Sequence, residues 1–346
     1  MRNWTVPLCL RLRIPFICAM KRFFFFLLPA LALCMIACNG KKAPVGPVSN
    51  TDYLSVQIPD FCADSAYQYV ADQLAFGFRS PGSKGHELCA QYLSEQMRQW
   101  CDTVIVQDFS ATLWNGDMYK GKNIIASLDP DKENRVLLAA HWDSRLWADQ
   151  DPDKANHHSP IMGANDGASG VGALMEMARI MSAQRPEVGV DFIFFDMEDQ
   201  GIPQWADIYK DNTWCLGSQY WAQYPHRPFY RANYGILFDM VGTDHPRFTK
   251  EEVSRTYAPG VINKLFDAAA QMGLGNIFVN QATDAILDDH LYVNQILHLP
   301  MADLVQNAEH GSFFPYWHTV NDNLDCINKQ SLKTVADVTM KVIYAN

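Results

Sequence analysis

The chain has no Cys-x-x-Cys pair, no internal repeat and a shortage of positive charge. Its 28 lysines and arginines face 38 acidic residues, a net charge of −10 that argues against nucleic acid as a partner. The missing cysteine pairs argue against a cysteine-ligated metal site. Of nine cysteines, Cys62, Cys89, Cys101, Cys215 and Cys326 lie beyond the N-terminal leader. Five is an odd number, and sequence assigns no disulfide among them. The longest apolar run, Phe23 to Ala37, is short for a membrane span. What is present is ordinary for a globular protein: 48% apolar and 19% charged residues over 346 positions. That fits one large domain after the leader.

The leader is an address. Lys21 and Arg22 precede the apolar run, which ends in Met35-Ile36-Ala37-Cys38. This order is that of a secretory signal. It begins cleanly at Met20, so residues 1–19 are expected to precede the true start. The box resembles a bacterial lipoprotein signal, with Met35 where Leu is usual. The resemblance implies a lipid on Cys38 and a membrane attachment through it. The expected location is the periplasm or the outer membrane of a Gram-negative bacterium. Three regions result: a signal over 1–38, a polar flexible tether over 39–50, and one domain over 51–346.

Within that domain, apolar spacing predicts helices over 64–76, 83–100, 167–183, 259–272 and 331–344. Strands are predicted over 103–109, 123–128, 136–140, from Asp191, and over 234–238, 277–279 and 296–299. The alternation gives an α/β class with a central, mostly parallel mixed sheet flanked by helices. Long loops are predicted over 142–163, 201–214 and 301–317, and such loops are often functional.

The stretch Asp191–Gln200, DFIFFDMEDQ, organises the rest. An apolar strand runs into Asp196, Glu198 and Asp199, which places charge at a sheet edge. Ligands of open α/β sheets bind just past the carboxyl ends of strands. Acids so close repel, and a cation or a raised pKa compensates them. Further polar clusters stand at corresponding positions: His141-Trp142-Asp143, Asn165-Asp166, Asp239, Asp288-Asp289-His290 and Trp317-His318-Thr319. Singly, each has a bland explanation. His141 could be a core histidine, Asp166 a helix cap, Asp239 a strand end. Their joint placement at the strand ends of one sheet favours a site. Asp166, Asp199 and His318 form an O/O/N set, the way catalytic zinc is held with one position open. Glu198 adjoins that set and is a candidate general base.

HWDS, GANDGASG, FFDMED, FDMVG, LDDH and WHT occur in the order of the zinc-dependent exopeptidase superfamily. The resemblance runs from about Arg79 to the C-terminus. It is closer to the glutaminyl-peptide cyclotransferase branch, in its animal-type form found in bacteria, than to the two-zinc aminopeptidases. FFDMED, the doublet Asp288-Asp289 before His290, and FFPYWHT carry that distinction. The resemblance implies a zinc exopeptidase (phosphorylase/hydrolase-like) fold. It implies one zinc on Asp166, Asp199 and His318, with Glu198 as acid/base. Asp239 and Asp288 form a hydrogen-bonded acidic pair beside it. Trp205, Phe313, Trp317 and His141 bind substrate, Trp205 standing one position out of register with the family's pocket tryptophan. Asp199 stands where many relatives have Glu. Leu287, and Ala140 where animal members have a disulfide cysteine, also depart, away from the chemistry.

The implied reaction turns the N-terminal Gln of peptides or proteins into pyroglutamate and ammonia, in a monomer. The rival enzyme is a two-zinc aminopeptidase, whose five ligand types are all available in His141, Asp166, Asp199, Asp239 and His318. A non-catalytic peptide-binding lipoprotein on the same fold is a third reading. The retained Glu198 speaks against it.

Overall fold

A computed structural model describes residues 50–307 and 313–345. The signal with Cys38, and the tether up to residue 49, lie outside the described residues. The chain begins with two helices, α1 (Ala63–Leu74) and α2 (Lys84–Trp100), followed by the hairpin β1 (Thr103–Thr112) and β2 (Met118–Leu128). Then come β3 (Arg135–His141), α3 (Gly170–Ala183), β4 (Gly189–Phe195), α4 (Leu216–Gln223) and β5 (Tyr234–Asp239). The last part holds β6 (Phe248–Lys250), α5 (Glu252–Tyr257), α6 (Pro259–Gln271), β7 (Phe278–Ala282), α7 (Asp289–Tyr292), β8 (Met301–Val305) and α8 (Lys329–Tyr344). Six strands make the main sheet in the order β1-β2-β4-β3-β5-β8. β1–β2 and β2–β4 are antiparallel, and the remaining pairs are parallel. β6 and β7 form a small parallel sheet of their own.

Every residue of β3, β4, β5 and β8 is buried, because helices cover the parallel strands on both faces. Alternate residues serve opposite faces. Val136, Leu138, Phe192, Phe194, Ile236 and Phe238 join the large core under α1, α3, α6 and α8. Leu137, Ala139, Ile193, Phe195 and Leu237 meet Trp221 of α4, with Val293 and Leu299. The helices begin on local signals. The Ser83 side chain accepts from His86 N at 3.0 Å. Asn328 caps α8, and Pro259 opens α6.

The expected class is the observed one, and three expectations need correction; one is the long loop over 301–317, whose first residues, Met301–Val305, form β8 instead. The stretch 296–299 is not a strand. Ile296 and Leu297 end a wide helical turn, and His298 takes a left-handed φ of 56°. The strand starts after Pro300, where the Asn294 side chain brackets Met301 through its N–H and carbonyl. Nor does a helix begin at residue 167. Asp166 (φ −82°, ψ 96°) and Gly167 (φ 96°, ψ −62°) leave helical geometry before α3 starts at Gly170. That kink frees Asp166 to face the sheet edge instead of capping the helix.

Candidate active site

The parallel strands deliver their carboxyl ends to one rim. β3 ends in His141, β5 in Asp239, and β4 runs into the turn carrying Glu198 and Asp199. Asp166 arrives from the kink before α3, and His318 from the loop before α8. Asp166, Asp199 and His318 offer ligand atoms that all lie within 4.8 Å of one another, and all three residues are buried. His318 Nε2 is 2.9 Å from Asp199 Oδ1 and 3.5 Å from Asp166 Oδ2. Asp166 Oδ2 and Asp199 Oδ2 have no hydrogen-bond partner among the described residues. A buried, unpartnered carboxylate oxygen is costly without a cation, so these residues fit a zinc ion. His141, Asp166 and Asp239 form a second set of the same compactness. There His141 Nε2 lies 3.0 Å from Asp166 Oδ1 and 3.3 Å from Asp239 Oδ1.

Beside the first set lies a pocket of about 360 Å³. Its acids include Glu198, Asp239 and Asp288, and its apolar wall includes Trp214, Phe313 and Trp317. Burial pushes the Glu198 carboxyl well above its ordinary value, and Asp288 and Asp199 add to the shift. Burial, reinforced by Asp288, raises Asp239 to about 7. Asp288 itself is raised by burial. The Cys215 thiol donates to Glu198 Oε1 at 3.1 Å. A carboxyl raised in this way stands beside the candidate metal position, and it is the type of group that general acid/base chemistry uses.

The structure departs from the sequence reading in four particulars. Trp205 is not in the pocket wall. It packs against Trp114, Trp147 and His158, and Trp214 lines the pocket in its place. His141 meets Asp166 and Asp239 rather than lining that pocket. The side-chain contact of Asp239 is with His141, while Asp288 Oδ1 accepts from Asp289 N at 2.5 Å and caps α7. Asp288 therefore both caps a helix and faces the pocket. Leu287, set aside in the sequence, is half-exposed on the pocket rim.

Further aspartates shape the site; Asp143 belongs to the His141-Trp142-Asp143 cluster, and Asp322 carries no spacing signal. Asp143 accepts from the N–H groups of Glu198 (3.1 Å) and Asp199 (3.2 Å) and from Gln200 Nε2 (2.9 Å). One carboxylate thus fixes the turn that presents the base and a ligand. Asp322 does the same for the N–H groups of Asn165 (2.8 Å) and Asp166 (3.0 Å). Asp196, the first acid of the organising stretch, pairs instead with His86 at 2.9 Å. The described cysteines are all free thiols.

An acidic rim at the carboxyl ends of a mixed sheet, with a two-carboxylate, one-imidazole metal position, defines the zinc exopeptidase class. The chain belongs to peptidase family M28, whose model matches residues 123–343. Among solved structures it is similar to the glutaminyl cyclase of Tannerella forsythia, at 47% identity and a TM-score of 0.80, covering 83% of this chain and 99% of that one. The Bacteroides thetaiotaomicron glutaminyl cyclase bound to N-acetylhistamine is 45% identical with a TM-score of 0.82, again over 83% and 99%. A leucine aminopeptidase precursor from Bacteroides thetaiotaomicron is also 45% identical, with a TM-score of 0.81 over 84% and 99%.

Proposed function

We propose that this protein is a glutaminyl-peptide cyclotransferase acting on peptides and proteins that begin with Gln. The observation that carries the reading is Asp288 facing Glu198 across an aromatic-walled pocket, with Glu198, Cys215 and Asp288 ligand atoms within 4.8 Å of one another. The resemblance to two bacterial glutaminyl cyclases supports it.

Asp166, Asp199 and His318 hold one zinc, which when bound acts as a Lewis acid toward the substrate's γ-carbonyl. The rest belongs to the chain. Trp214, Phe313 and Trp317 sort the glutaminyl side chain from water. The substrate's own α-amine is tethered to the γ-carbonyl carbon it attacks, so the site need only select the folded-back conformer. Glu198 takes a proton from that amine as the new C–N bond forms. It returns the proton to the γ-nitrogen as the old C–N bond breaks and ammonia leaves. Asp239 and Asp288 keep a proton nearby, and Cys215 holds one oxygen of Glu198 in place.

The test is a pair of measurements on the purified protein. We expect one zinc per chain by elemental analysis, and ammonia with a pyroglutamyl peptide from Gln-initiated substrates. Two zincs per chain with release of N-terminal leucine would install the aminopeptidase instead. We further infer that residues 1–38 are a lipoprotein signal starting at Met20 and that 39–50 tether a monomeric domain. The anchored protein then lies in the periplasm or outer membrane of a Gram-negative cell. The basic, apolar, Cys38 order motivates this. Cys38→Ser is expected to leave cyclase activity intact and move the protein from the membrane to the soluble fraction. Identical partitioning of variant and parent would count against the anchor.

A further inference from the structure

We propose that Arg145 and Asp149 are positioning residues for the metal site, tying His318 to Asp199 from behind. The inference rests on the assignment of those two residues as zinc ligands.

The loop after β3 carries a buried clamp. Arg145 is fully buried. Its Nε donates to Asp149 Oδ1 at 2.7 Å and its Nη2 to Asp149 Oδ2 at 2.9 Å. The third arm, Nη1, donates to the Asp199 backbone carbonyl at 2.8 Å and lies 3.7 Å from Asp199 Oδ1. Trp214 covers the guanidinium, its ring centroid 4.6 Å from Cζ. The planar fork of arginine suits this two-sided bidentate role, which lysine could not fill.

Asp149 extends the clamp to the other ligand. Its Oδ1 lies 3.4 Å from His318 Nδ1. That nitrogen is the one turned away from the metal position, since Nε2 faces Asp199 and Asp166. A carboxylate there favours the tautomer with the proton on Nδ1 and leaves the Nε2 lone pair for a cation. The separation is an ion-pair distance rather than a hydrogen bond, and His318 Nδ1 has no hydrogen-bond partner among the described residues. It is expected to shorten when Nε2 donates to a cation and the Nδ1 proton becomes more acidic. The backbone reinforces the contact: Gln150 N donates to the His318 carbonyl at 3.2 Å, and Val320 N to Asp151 Oδ2 at 3.1 Å. Asp149 Oδ2 also accepts from Gln204 N at 2.8 Å. One short segment therefore grips the His318 loop and the segment that follows Asp199.

A buried ion pair could serve stability alone, so the test separates the two roles. Zinc affinity is read by competition with a chromogenic chelator, and the thermal midpoint is read on the metal-free protein. Asp149→Asn is expected to weaken zinc binding by about 10–100-fold, the range for losing an orienting partner of a ligating histidine. Leaving Arg145 half-paired also threatens the fold. The second variant, Arg145→Met with Asp149→Leu, removes both charges, an exchange that buried pairs often tolerate. Its metal-free midpoint is expected to stay near the parental one while its zinc affinity falls by the same factor. Whichever variant folds carries the test. Parental zinc affinity in a folded variant overturns the clamp and leaves a structural ion pair. A parent protein that takes up no zinc overturns the metal assignment itself.

Discussion

Replacing Glu198 with Gln should lower activity and raise stability together. The side chain is almost fully buried, with the acids Asp199, Asp288 and Asp289 around it. Gln keeps the shape and the acceptor toward the Cys215 thiol, and loses the titrating group. Turnover is expected to fall about 10²–10⁴-fold, the range for a general acid–base residue. That corresponds to about 2.7–5.4 kcal/mol of barrier. Stability moves the other way. Burial raises the Glu198 pKa in the fold, so the ionised form is penalised there. The stability this group allows is fully present below the unfolded value of about 4.3 and is lost as pH rises through the folded value. The variant carries no such loss. Its gain should be absent near the unfolded pKa and grow with pH. Each kcal/mol of relief should appear as about 1.5–2 °C in midpoint for a domain of about 300 residues. The assay is ammonia release from a Gln-initiated peptide, with thermal melts of metal-free protein across the pH range. Parental turnover, or a midpoint difference that does not change with pH, refutes the reasoning.

Gly167→Ala should disturb the metal position from behind. A Cβ there would stand 2.8 Å from the Asp143 carbonyl and 2.9 Å from His141 Cε1, on a backbone with φ of 96°. We expect a loss of about 1–3 kcal/mol from backbone strain, read by urea unfolding, together with weaker zinc retention on dialysis. Asp191→Asn tests the far end of the sheet. Asp191 is buried and accepts from Arg135 (2.6 and 2.7 Å), Ser127 (2.5 Å) and Tyr230 (2.7 Å). Breaking the pair should cost about 3–5 kcal/mol with zinc content unchanged. Despite burial, Arg135 holds the Asp191 pKa low. That stabilisation is present above about pH 3.9 and fades as pH falls through the folded value, so variant and parent should converge in acid.

Much of this was legible in the sequence, for identifiable reasons. The buried strands announce themselves as apolar runs, and their acids stand directly after them, so Asp199, Glu198 and Asp239 could be placed at one rim. His318 and Asp166 could be picked as donors of the right type for an O/O/N set, and the family resemblance gave that set its order along the chain, because nothing in their spacing relates residue 166 to residue 318. Of the residues that aim the site, Asp143 stood out as part of the His141-Trp142-Asp143 cluster, though its role did not, and Asp322 and Asp149 were silent. They act by accepting from backbone N–H groups or by standing beside an imidazole, and an aspartate doing so looks like any loop aspartate. Trp205 was mistaken for Trp214 because several tryptophans lie near that loop, and only the fold says which one turns inward. The false strand at 296–299 is a short apolar run of the kind that periodicity cannot divide between helix and strand. Pro300 marks where the true strand could begin.

The order in which the site's parts leave the ribosome has a consequence. His141, Asp166, Glu198 and Asp199 are made first, and His318 follows Asp199 by about 120 residues. At ordinary synthesis speeds that is a delay of roughly 6–24 s. Throughout it the nascent chain holds the acids without the imidazole that completes their set. A polypeptide truncated anywhere in that interval keeps most of the sheet and lacks a complete metal site. Premature termination in that interval therefore yields a product without the full ligand set, whatever zinc is supplied.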